Sequence, residues 1–352
     1  MMIRNGIRRS SRPRWLAVAL AGLAALAPPA GRGQDPSLRF GGQIPPEVDT
    51  IYERGLAWLA ASQSAEGGWT ENGYAGAGVD GICLMAFLAS GEDPNYGKYA
   101  GNIHRAIYSI IHQQDATTGY LPNSMYHHGF AMLALSEAYG AVDESLFPGG
   151  KKPPRSIAKA LQLAIGCAAT SQKKNSMGGW RYNPDASDAD TSVTGAVLMG
   201  LLAARNAGMD VPDDVVSGAM DFMRRSTGSD GSVAYTGGFG GMEGSMNLTA
   251  VAALTGAVSK TKGTDQYKAS LKRLLDNLDT NQPGPYIEYF RYYMAQALFQ
   301  GDYAAWQKWN AGQVRELRDT QHDDGSFGGS YQTGMSLLAL ALNYRFLPIY
   351  ER

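Results

Sequence analysis

The chain has only two cysteines, Cys83 and Cys167, in 352 residues, too few for a disulfide-stapled scaffold. It has no excess of base, with 31 Lys+Arg against 32 Asp+Glu, and its first 34 residues carry no acid at all. Those residues do carry Arg4, Arg8, Arg9, Arg12, Arg14 and Arg32, and beyond them 25 basic residues face 32 acidic ones. A body that acidic, without a Lys/Arg stripe, argues against a nucleic-acid partner, whose phosphates need clustered bases. Long apolar runs are equally scarce. The one candidate, Trp15 to Ala27, is shorter than the roughly 20 residues a spanning helix needs. What is abundant is hydrophobic residue, 44% of the chain, and glycine, 44 residues, which together describe a large folded core punctuated by turns.

The basic N-terminus, the short apolar run and the small, Pro-broken segment Ala27 to Gly33 have the layout of an export signal. The expectation is a signal over 1–34 with cleavage between residues 27 and 35, an extended linker over 35–47, and a folded body over 48–352 with no membrane span once the signal is removed. Such a protein is periplasmic or extracellular. Cys83 and Cys167, far apart in different expected helices, read as two buried thiols.

The body repeats. Residues 54–69 form an amphipathic helix that ends at Gln63 and a Gly67-Gly68-Trp69 turn. The same punctuation recurs with Gln113-Gln114 before Gly119-Tyr120, Gln172 before Gly178-Gly179-Trp180, Gly231 before Gly237-Gly238-Phe239, and Gln321 before Gly325-Ser326-Phe327. Asn277 to Tyr286 fills the remaining gap. Anchored on Trp69, Tyr120, Trp180, Phe239, Tyr286 and Phe327, the spacings are 51, 60, 59, 47 and 41 residues, which makes six units. In each, a two-faced helix precedes the turn and a helix apolar nearly all round follows it. Helices of the second kind must be surrounded by protein. The last of them, Met335 to Phe346, is as apolar as the others, so the array should close on itself instead of ending in a polar cap. The expected fold is all-α, a single α/α toroid of about six inner and six outer helices, with strand content close to nil.

Arg54, Gly55, Trp58, Leu59, Gln63, Gly67 and Trp69 match the repeat motif of triterpene (squalene-type) cyclases, and the later units resemble the looser repeat of protein prenyltransferase β subunits. The resemblance implies an α/α toroid over residues 45–352, with Gln63 and Trp69 acting as a clasp between helices. It carries less for chemistry. Ser187 to Ser192 resembles the cyclase acid motif Asp-x-Asp-Asp-Thr-Ala, yet with the threonines aligned Ala189 stands where the family has its proton donor, and alanine has no proton to give. Met246 to Thr249 stands where prenyltransferases have a zinc-binding Asp-x-Cys, and offers neither carboxylate nor thiolate. No metal and no cofactor is therefore expected.

Positions where each turn enters an inner helix converge on one mouth of such a ring. They supply the candidate acid/base residues Asp80, His127, His128, Asp188, Asp190 and Glu288, and the candidate ligand-binding residues Tyr126, Asn247, Tyr289, Arg291, Tyr292 and Tyr331. Only one of the adjacent His127 and His128 can face the cavity, and Asp190 is equally suited to capping its helix. Three readings follow. The ring is an enzyme acting on an exported lipid or polysaccharide, or a binder holding an isoprenoid or sugar chain among its aromatics. Alternatively it is an envelope scaffold that meets a protein partner through Tyr303, Trp306 and Trp309 on an outer helix.

Overall fold

The computed structural model describes residues 44–71, 74–148, 152–236, 245–279, 286–344 and 346–350. The expected signal, the cleavage site and residues 35–43 of the expected linker lie outside the described residues. Six helices are apolar on all sides: α2 (Ala77–Leu88), α4 (Met125–Ala138), α6 (Thr191–Asn206), α8 (Met246–Val258), α10 (Ile287–Gly301) and α12 (Ser330–Leu340). In α2 every residue is buried, as the absence of a polar face requires. Alternating with them are the two-faced helices α1 (Pro46–Ser62), α3 (Ala100–Gln113), α5 (Ile157–Gln172), α7 (Asp213–Arg225), α9 (Asp265–Leu275) and α11 (Tyr303–Thr320). Helix α7 buries only Val215, Val216, Ala219, Phe222 and Met223, a single stripe at helical spacing. α1 starts at Pro46, two residues before the expected boundary.

The apolar helices form a closed inner ring. Each packs on the next in chain order, and α12 packs on α2. Glycine at the fifth helical position sets four of these six contacts. A Cβ on Gly81 would lie 2.9 Å from the Phe130 carbonyl oxygen, one on Gly129 2.5 Å from Ala196, one on Gly195 2.1 Å from Val251, and one on Gly334 2.7 Å from Ile82. In every case the partner is the sixth residue of the following inner helix, and the step from Gly334 to Ile82 joins the last helix to the first in the same way.

The outer ring is tied by the glutamines. Gln63 Nε2 donates to the Gly67 and Asn102 carbonyls, Gln114 to Gly119 and Ala160, Gln172 to Gly178 and Val215, and Gln321 to Gly325 and Ile51. Each thus closes its own turn and satisfies an early carbonyl of the next outer helix, with Gln321 reaching back to α1. The turn glycine must have positive φ, as at Gly67 and Gly325, both +94°, and a Cβ on Gly325 would lie 2.5 Å from the Arg54 carbonyl oxygen. Trp69 and Trp180 complete the clasp by donating through Nε1 to Leu59 and Ala168.

Two details differ from the sequence reading. A hairpin pairs β1 (Thr70–Glu71) with β2 (Tyr74–Ala75). The anchor of the second repeat is Leu121, not Tyr120, and that of the fourth is Val233, not Phe239, because Gly119 and Gly231 are the turn glycines equivalent to Gly67. Leu121 and Val233 are fully buried, so apolar burial at the anchor suffices and an aromatic is not required there. Trp306 and Trp309 are buried, with Trp306 packed on Phe299 at 5.1 Å, so of the three outer-helix aromatics only Tyr303 keeps partial exposure. Cys83 and Cys167 are buried thiols, not bridged to one another.

Candidate functional site

All six inner helices run the same way round the ring, so their N-termini share one end. A helix advances about 100° per residue, and the register of each inner helix therefore sorts its first residues by direction. The second and third positions face the ring axis. They include Gly78 and Val79, Tyr126 and His127, Ser192, Asn247 and Leu248, Glu288 and Tyr289, Tyr331 and Gln332, which line a cavity of about 620 Å³. Eleven of the twelve such positions line it, Val193 being the exception. Tyr182, Tyr235, Ser245 and Tyr286 add to its wall, with Ile82 and Phe130 from the sixth position.

Aromatics span the ring below. α4 and α10 stand three helices apart, yet Tyr126 reaches Tyr289 at 6.0 Å between ring centroids and Phe130 reaches Tyr292 at 5.8 Å. Tyr292 is buried beneath the cavity and is not among its lining residues, which corrects the expectation that it contacts a ligand directly.

The fourth position faces outward, towards the turn. Trp69 N–H donates to Asp80 Oδ1 at 2.9 Å, Leu121 N–H to His128 Nδ1 at 3.1 Å, Trp180 N–H to Thr194 Oγ1 at 3.0 Å and Phe327 N–H to Thr333 Oγ1 at 3.0 Å. Asp80 and His128 thus occupy equivalent places in successive repeats, holding the turn instead of lining the cavity. Asp80 also accepts from Ser109 and Gln113. Burial nevertheless raises its carboxyl to about 6, against these hydrogen bonds. Because His128 Nδ1 accepts a backbone N–H, its proton sits on Nε2 and is donated to the Ala164 carbonyl at 3.0 Å, and burial lowers its pKa to about 4. Sequence reasoning missed this division because it collected polar residues at helix starts without separating the second and third positions from the fourth.

His127 is the histidine on the cavity. Its Nδ1 accepts the Gly78 N–H at 3.3 Å, which leaves Nε2–H as a donor, and burial lowers its pKa. Gly78 permits this approach, since a Cβ there would lie 2.6 Å from the His127 Cα. Arg291, at the fifth position, turns to α11, where it donates to Gln313 at 2.9 Å and pairs with Glu316, so it does not reach the cavity.

Asp190 caps α6, its Oδ1 accepting from the Val193 N–H and the Ser192 hydroxyl. It is fully buried, and burial raises its pKa. Its Oδ2 has no hydrogen-bond donor but lies 3.7 Å from Arg181 Nε. Arg181 meets exposed Asp188 at 3.5 Å and lies over the Tyr235 and Tyr182 rings, 5.4 and 6.0 Å from their centroids. Asp188 and Asp190 therefore stand behind the tyrosine wall, outside the lining. Of the twelve candidates, the cavity unites Tyr126, His127, Asn247, Glu288, Tyr289 and Tyr331. Among the described residues no group of three His, Cys, Asp or Glu could hold a metal ion.

A closed α/α toroid with a cavity at the N-terminal end of its inner ring is the class that fold and site define. No family model and no curated protein matches the chain. Solved structures do. The GH76A alpha-1,6-mannanase from Salegentibacter sp. HEL1_6 superposes with a TM-score of 0.61 at 9% identity, over 85% of this chain and 98% of that one. The type II terpene cyclase MstE from Scytonema gives 0.54 at 15% identity in its apo form, over 87% and 100%. A substituted form of the same cyclase in complex with merosterolic acid A gives 0.55 at 16%, over 86% and 98%. At such identities the likeness is one of fold.

Proposed function

We propose that this chain is an exported toroid that holds a hydrophobic or chain-like ligand, an isoprenoid lipid or a polysaccharide segment, in the cavity at the N-terminal end of its inner ring. The observation that carries the proposal is the register itself. Eleven of twelve second and third positions from six helices converge on an open space of about 620 Å³, a volume typical of small-molecule sites, while the fourth and fifth positions are committed to packing. Export rests on the acid-free basic N-terminus and its short apolar run, and among the described residues no helix is long and apolar enough to cross a membrane.

Holding fits the lining better than hydrolysis does. Glycoside hydrolysis ordinarily needs two carboxylates flanking the scissile bond, and among the described lining residues Glu288 is the only one. His127 has Nδ1 engaged and offers a hydrogen bond, not a base. Mass spectrometry of the protein purified gently from its own host envelope tests the proposal, with Asn247→Trp, which fills the cavity, as comparison. Retention of a small molecule by the parent chain and its loss from the folded variant is the expected result. An empty parent chain, or equal retention by both, contradicts it. N-terminal sequencing of the same preparation tests export, and an intact residue 1 in a cytosolic fraction contradicts that part.

A further inference from the structure

The proposed ligand site has a distinctive electrostatic make-up. Six tyrosines, Tyr126, Tyr182, Tyr235, Tyr286, Tyr289 and Tyr331, share its wall with the carboxylate of Glu288, and no lysine or arginine is among its described lining residues. Aromatic faces carry the negative end of a quadrupole, so both the walls and the one formal charge favour a cation. Tyr126 and Tyr289, 6.0 Å apart between centroids, both line the cavity, so one bound group can meet both rings. Two of these rings already hold a cation from behind, since the Arg181 guanidinium lies over Tyr235 and Tyr182. Its own charge is opposed by Asp190 and Asp188 at 3.7 and 3.5 Å.

Resting on the reading that the cavity binds a ligand, we infer that the group it recognises is an ammonium or quaternary ammonium on an otherwise apolar or neutral body, with Glu288 as counter-ion and the tyrosine faces as its cage. Neutral imidazole at His127 is compatible with this, because it adds a donor without adding charge. Uncharged chains would fill the same space but would leave the Glu288 carboxylate without a partner from the ligand.

The test compares phenyltrimethylammonium with its uncharged isostere tert-butylbenzene on the full chain, by titration of ligand NMR signals and intrinsic fluorescence. The cation is expected to bind about tenfold more tightly, the ratio that cation–π and carboxylate contacts of this size supply. Glu288→Gln should reduce cation affinity about fivefold and leave the isostere unchanged. Tyr286→Leu, at an exposed ring, should weaken the cation while Tyr286→Phe does not. Equal affinities for the two probes in the parent chain overturn the inference and leave cavity binding standing. Failure of both probes to bind, or a cation preference that survives Asn247→Trp, overturns the inference together with the site on which it rests.

Discussion

Asp80 and His128 do the same job in successive repeats, each accepting a backbone N–H at the turn, yet they respond to acid in opposite senses. The folded pKa of Asp80 lies near 6, above the value of an unfolded aspartate. The native state therefore binds the extra proton, and this residue's contribution to stability falls as pH rises through about 4 to 6 and is flat above. The folded pKa of His128 lies near 4, below that of an unfolded histidine. Its contribution is complete above about 6.5 and is lost as pH falls towards 4. Each slope is about 1.4 kcal/mol per pH unit at most, so in the parent chain the two largely offset each other, with smaller trends in Asp80's direction from Asp190 and in His128's direction from His127 and His104. Asp80→Asn should uncover a steep acid loss of melting temperature between pH 6.5 and 4, and His128→Gln should uncover the reverse slope. Parallel profiles in parent and variants would contradict the assignment. Asp190→Asn keeps the cap and should be nearly silent at pH 7, whereas Asp190→Ala should cost about 0.5 to 2 kcal/mol, read as a denaturant midpoint.

Among the elements, four of the six inner helices depend on glycine at the fifth position, and four of the six outer helices on a glutamine at or just after their C-terminus. Gly129→Ala would force a methyl to within 2.5 Å of the Ala196 backbone. The two helices would have to part, at a cost of about 1 to 3 kcal/mol. Gly166→Ala, on outer helix α5 where nothing approaches a Cβ, should instead stabilise by several tenths of a kcal/mol through helix propensity. Thermal unfolding of the pair decides it, and equal shifts would contradict the close-approach account. The elements were largely legible in the sequence. An all-round apolar helix and a two-faced helix differ in composition alone, and in four of the six repeats a glutamine followed by a turn glycine marks the junction between them. What was not legible was the register inside the inner helices. Asp80 and His128 look functional because they are polar and sit at helix starts, and only the direction of the fourth position, fixed by the turn N–H it receives, shows that they face away from the cavity. Gly78, Ser192 and Gln332 went unnamed for the converse reason, being ordinary residues that happen to occupy the second and third positions.

At the largest scale, the described residues form a ring in which the last repeat treats the first as its next neighbour. Gln321 bonds to Ile51, Arg54 donates to the His322 and Asp323 carbonyls, Arg318 pairs with Glu47 at 2.8 Å, and the Tyr344 hydroxyl donates to Asp49 at 2.8 Å. Closure holds the six helix starts in one layer, and that layer makes the cavity. Gln321→Ala removes the donor for two carbonyls and should cost about 1 to 3 kcal/mol, with amide exchange rising first in α1 and α11. A loss confined to other repeats would argue against a cooperative closed ring. The central claim is that direction within the inner helices divides ligand binding from folding, and the most direct measurement is the mass of retained ligand across a matched set of folded variants. Asn247→Trp and Tyr331→Ala, at second positions, should lose the ligand with little change in melting temperature. Thr194→Val and Asp80→Asn, at fourth positions, should change in stability and retain it. Ligand loss from the fourth-position variants, or full retention by both second-position variants, would contradict the account.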